Sequence, residues 1–128
     1  MADERTTSVT IGGKEYTMVL TTKATKEIAK RYGGLADLGD KLMKAENFEA
    51  AIDEIVWLIT LLCNQNILIR NLQNPAEKQE VLTEEAVELL TTPAELATYK
   101  NAIMEAMQLG TKRYVESEDD TSKNTKVG

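Results

Sequence analysis

The sequence predicts a mainly α fold in which an N-terminal β-hairpin packs on a bundle of four or five helices with one long central helix. Three observations predict it. Apolar alternation is concentrated in "VTIGGKEYTMVL" near the amino end; an apolar seam at helical spacing runs from Phe48 to Ile69; and helix-start chemistry appears at Thr83 and Thr92. With 128 residues the chain fits one domain, large enough to bury roughly two-thirds of its unfolded surface. Residues 1–115 are assigned to that domain.

In the hairpin, residues 8–20, Val9 and Ile11 share one face. Gly12 and Gly13 supply the positive φ values of a tight turn, and Tyr16, Met18 and Leu20 share a face again. Two strands alone are marginal in water, so the hairpin must pack on something. Thr21 and Thr22 offer an N-cap to a short helix with Ala24, Ile28 and Tyr32 at spacing four, stopped by Gly33 and Gly34. Leu35, Leu38 and Leu42 predict a second short helix to about Ala45.

The long helix is expected from about Asn47 to Leu72, closed by Pro75. Phe48, Ile52, Ile55, Ile59, Leu62 and Ile69 form its inward seam, broken once by Asn66. Its stretch "EIVWLITLLCNQN" contains nine residues between Glu54 and Asn64 of which only Thr60 is polar. That run is less than half of the about 20 apolar residues that span a bilayer, so no membrane partner is expected. The row Asp53, Trp57, Thr60, Asn64, Ile67, Asn71 reads as a thin wet stripe.

Thr83 caps the next helix, with Glu84 and Glu85 at its positive dipole end and Leu82 and Val87 at staple positions. In "TPAE", Thr92 is the N-cap, Pro93 the first helical residue and Glu95 the return carboxylate of a capping box. Leu96, Tyr99, Ile103, Ala106 or Met107, Gly110 and Tyr114 form the inward stripe of this last helix, expected to run about five turns. Residues 116–128, "ESEDDTSKNTKVG", hold one apolar residue in thirteen and predict a disordered polar tail.

Charge and composition then restrict function. The net charge of −6 argues against nonspecific nucleic-acid binding, and the middle third carries the acidity: residues 46–95 hold two basic and ten acidic residues. Histidine is absent, and the one cysteine, Cys63, lies in an apolar run where a thiol stays protonated. Glu84, Glu85 and Glu88 lack calcium-loop spacing, and "IGGK" lacks the length and the Ser or Thr of a phosphate loop. No catalytic residue, metal site or cofactor is expected, and the chain reads as a non-enzyme. No secretory signal is visible at the amino end, so the cytoplasm is the expected location.

"TKEIAKRYGGLADLGDKL" has the layout of a helix-turn-helix within residues 22–45, with the basic row Lys23, Lys26, Lys30 and Arg31. Its second helix, however, offers Asp37 and Asp40 and no Arg, Asn or Gln to read base edges. A DNA-binding regulator is therefore the runner-up. Met104 and Met107 flank Ile103, suited to core filling or to an adaptable partner surface. Trp57 divides between second-layer packing and a binding hot spot.

"IGGKEYTMVLTTKATKEIAKRYGGLADL", a Gly-Lys-x-Tyr hairpin leading into a Thr-capped helix, the long apolar helix, and "LTEEAVELLTTPAELATYKNAIMEAM" together resemble the tail assembly chaperones of long-tailed bacteriophages of Gram-positive hosts. The likeness covers roughly residues 8–115. It implies a noncatalytic protein of the host cytoplasm that coats the tape measure protein, helps recruit tail tube subunits, and self-associates along its client. A holder for an apolar helical stripe needs apolar grooves and adaptable side chains. Trp57, Leu61, Ile67, Met104 and Met107 are the candidate partner-binding residues. A small adaptor protein with a different client would look the same.

Overall fold

A computed structural model describes residues 6–34 and 48–109, with the side chains of 48–50 left aside. Strands β1 (Thr6–Ile11) and β2 (Lys14–Val19) form one antiparallel hairpin in which Thr6 pairs with Val19 and Ile11 with Lys14. Gly12 and Gly13 take φ of 60° and 83°, the left-handed values the two-residue turn requires. Val9, Ile11, Met18 and Leu20 are buried as the alternation predicts, but so is Val19, so the end of β2 is covered on both faces. The two strands are the only ones among the described residues.

Helix α1 spans Thr22–Tyr32 and ends at Gly33, whose φ of 98° closes it with an N–H bond to the Ala29 carbonyl. Its cap hydroxyl works twice: Thr21 Oγ1 accepts from the Ala24 N–H at 3.0 Å and donates to the buried amide of Gln65. The other end of α1 is held through Arg31, whose Nη2 lies 3.0 Å from Glu54 Oε1. Gln65 and Glu54 thus anchor opposite ends of α1, which runs antiparallel to the long helix.

That long helix, α2, spans Phe48–Gln73. Ile55, Ile59 and Leu62 are buried along the expected seam, and so are Val56, Leu58, Thr60 and Cys63, so burial of its middle extends well beyond that seam, with Trp57 and Leu61 half-buried. The wet stripe is a correction. Of that row only Asp53 is exposed; Thr60 and Ile67 are buried at 8% and 7% exposure. The Asn64–Asn71 end of the row is met by a strap, residues 78–82, that returns after a single 3₁₀ turn at Pro75–Glu77, while Trp57 lies against Tyr32 and Arg31.

Helix α3 spans Glu84–Leu90, with Thr83 Oγ1 accepting from the Ala86 N–H at 3.1 Å and Val87 buried beneath it. The last helix, α4, occupies residues 93–109 and lies along β1, where Tyr99 donates to the Thr10 carbonyl at 2.6 Å and Thr7 to Glu105 at 3.2 Å. The capping box closes from one side: Glu95 Oε1 accepts the Thr92 N–H at 2.8 Å, while the Thr92 hydroxyl donates to that same carboxylate. The expected short helix over 35–45, the extension of α4 to Tyr114 and the tail 116–128 lie outside the described residues.

Candidate functional site

Three arrangements on α2 are candidates for function. The first surrounds Trp57. Its ring meets Tyr32 edge-on, with centroids 5.9 Å apart at 74°, and carries the Arg31 guanidinium 4.5 Å above its face. Glu54 closes the group by accepting from Arg31 and, at 2.9 Å, from the Tyr32 hydroxyl. Burial, reinforced by the neighbouring Glu54 carboxylate, raises the Tyr32 pKa well above its ordinary value. Arg31, the basic residue of α1 nearest its end, is therefore committed to an internal brace.

The second is the strap. Asn64 Oδ1 accepts the Leu82 N–H at 2.7 Å and its Nδ2 donates to the Leu82 carbonyl at 2.8 Å. Two turns later Asn71 treats Gln79 identically, at 2.9 and 3.0 Å. Each asparagine amide stands in for the peptide of a neighbouring strand. Seven helical residues rise about 10.5 Å and three extended residues about 10 Å, so the two clamps stay in register. One turn before the first clamp, Thr60 Oγ1 is buried without a hydrogen-bond partner among the described residues.

The third is exposed apolar surface. Leu68 and Leu72, one turn apart on α2, are 37% and 83% exposed, and Leu89 on α3 is 77% exposed. Leu90 is also largely open, yet it lies against the hairpin turn: a Cβ on Gly12 would come within 3.1 Å of Leu90 Cδ2.

The five candidate partner-binding residues do not converge on one open face. Ile67 and Met107 are buried, the latter within the core cluster, and so present no surface in this state. Trp57, Leu61 and Met104 are half-buried at the margin of the core. The open leucines lie on neither the inward seam nor the Asp53–Asn71 row; the row Leu61, Leu68, Leu72, at spacings of seven and four, carries the signal. Sequence also missed the amide clamps, although two asparagines seven apart on one row are visible in it.

Among the described residues no group of three His, Cys, Asp or Glu could hold a metal ion. Cys63 is fully buried and its thiol is pushed up to about 12, so it stays protonated at neutral pH. Tyr99 is likewise pushed up to about 12, by burial and then by Glu95. Within α2, Ala51–Gln73 is long and apolar enough by composition to cross a membrane, with a mean hydropathy of 1.4 and 50% of that stretch buried in the fold. The nine-residue run alone therefore understates this helix.

On α1, Lys23, Lys26 and Lys30 are exposed, with Lys30 Nζ 3.9 Å from Glu27, while the second helix a DNA reader would need lies outside the described residues. Comparison with family models, with curated proteins and with solved structures returned no match.

Proposed function

We propose that the chain is a noncatalytic assembly chaperone of the phage-tail kind, acting in the cytoplasm of an infected host. It holds apolar helical stripes of a tape measure protein, self-associates along that client and recruits tail tube subunits. The observation that carries this reading is the exposed apolar surface of Leu68, Leu72 and Leu89, on helices whose remaining faces are packed or polar. An amphipathic client helix would cover such leucines with its own apolar stripe. The order of elements, a tight hairpin leading into a Thr-capped helix and then a long helix, supports the same reading.

Co-expression with a tape measure fragment tests it. The wild-type chain should keep the fragment soluble and co-purify with it. Leu72→Glu, which disturbs no packing, should weaken that capture by at least about thirtyfold, as loss of a binding hot spot does. A fragment recovered equally well with both proteins would refute the reading. Retention of a labelled duplex at physiological salt, lost on Lys26→Glu with Lys30→Glu, would instead favour the DNA-binding regulator. Capture of some other client through the same leucines would make the chain an adaptor.

A further inference from the structure

Where Asn66 breaks the apolar seam of α2, a cleft of about 210 Å³ opens between α2, β2 and the strap. Asn66 and Arg70 line it from successive turns of α2, Lys14 and Tyr16 from β2, and Gln79 from the strap. Buried Cys63 and Ile67 form its apolar side. Arg70 and Gln79 also line a neighbouring cleft of about 340 Å³ with Gln73, Asn74 and Glu77, so the two clefts share a wall.

In the first cleft Lys14 and Arg70 face a single carboxylate, Glu15. Residues 46–95 contain only Arg70 and Lys78 against ten acidic residues, yet Arg70 stands in the cleft beside Lys14 of the hairpin. Neither cation is within ion-pair distance of a carboxylate among the described residues. The Lys14 ammonium rests 5.2 Å from the Tyr16 ring centroid. A guanidinium offers a carboxylate two parallel N–H donors. The side-chain amides of Asn66, Gln73 and Gln79 supply donors and acceptors together, the pattern that matches peptide backbone rather than a bare anion, while Asn74 Nδ2 donates to Glu77 at 3.2 Å. The strap clamps show side-chain amides of this helix doing that in the folded chain. Glu15 and Glu77, one on each cleft, would repel a doubly charged phosphate more than a single carboxylate.

We propose that the paired clefts bind an acidic peptide segment of a partner protein, one carboxylate lying between Lys14 and Arg70 and the adjoining backbone taken by the amides. The site does not depend on the identity of the chaperone's client. The test is a titration of the ¹⁵N-labelled full chain, at constant ionic strength, with three probes: a capped tetrapeptide of two glutamates flanked by alanines, its diglutamine counterpart, and inorganic phosphate. The glutamate peptide should shift the amides of Tyr16, Asn66, Arg70 and Gln79, and the diglutamine peptide should bind at least about tenfold more weakly. Arg70→Gln should abolish the shifts while leaving the melting point within a few degrees, and Lys14→Gln provides a second variant on a different element. Absence of shifts at millimolar peptide, equal binding of the diglutamine peptide, or shifts that survive both substitutions would each overturn the site. Phosphate binding as tightly at the same residues would make it a small-anion site and overturn the peptide assignment.

Discussion

Between Ile55 and Cys63, α2 is packed into the apolar core, with Trp57 and Leu61 half-buried at its margin; between Asn64 and Gln73 one row of the same helix holds a strap through side-chain amides, while Leu68 and Leu72 stay exposed. One helix thus uses two kinds of cohesion. The first half gains from area removed from water, about 25 cal/mol per Å² of apolar surface, and is indifferent to direction. The second half depends on four oriented hydrogen bonds that together order an otherwise exposed segment. Such bonds contribute about 0.5–1.5 kcal/mol each, and leaving a partner unpaired costs more the further it lies from water. The first half should therefore set global stability, and the second should open locally at lower free energy.

The largest expected effect is in the first half. Ile59→Ala removes a fully buried side chain and should cost about 2–5 kcal/mol in denaturant unfolding. Trp57→Ala should cost less, about 1–3 kcal/mol, because the indole is half-buried and loses its contacts with Tyr32 and Arg31. A melting point unchanged by that substitution would return Trp57 to the hot-spot reading. In the second half, Asn64→Ala strands both polar groups of half-buried Leu82 and should cost about 1–3 kcal/mol. Asn71→Ala, facing exposed Gln79, should cost under about 1 kcal/mol. Hydrogen exchange separates them, the Leu82 amide losing protection in the first variant and the Gln79 amide in the second. The smallest effect has the opposite sign: Thr60→Val replaces an orphaned buried hydroxyl by a methyl and should raise stability by up to about 1 kcal/mol. If Thr60→Val destabilises, its hydroxyl has a partner in solution and the division of α2 into two kinds of cohesion is too sharp.

Much of the fold was legible because its signals are local. Gly12 and Gly13 in the turn, the caps at Thr21, Thr83 and Thr92, and the Pro-Gly punctuation act within a few residues of themselves. The cover over α2 was not legible, because "KQEVL" has neither helical nor alternating periodicity and takes its place only from Asn64 and Asn71. Reading Asn64 and Asn71 as wet followed from residue type, which cannot tell an amide facing water from one facing a peptide. The partner-binding set fared similarly: Ile67 and Met107 have the residue types of a sticky surface, but the strap row and the α4 stripe carry them inward. The open leucines at 72 and 89 sit near helix ends, where a seam traced for the core stops being informative.

The amide clamps also constrain how this chain can change length. Inserting or deleting one residue between Asn64 and Asn71 would rotate the second asparagine about 100° around the helix axis and take it off the strap. One residue added between Gln79 and Leu82 would turn a backbone pair away from its clamp, since successive residues of an extended chain present their polar groups to opposite sides. Neither element can drift alone. Length variation in this region is therefore confined to the 3₁₀ turn and its flanks at 74–78, outside both clamps, where all residues are exposed. An insertion scan should show single-residue additions tolerated there and rejected on either side, a ruler written in seven helical steps against three extended ones.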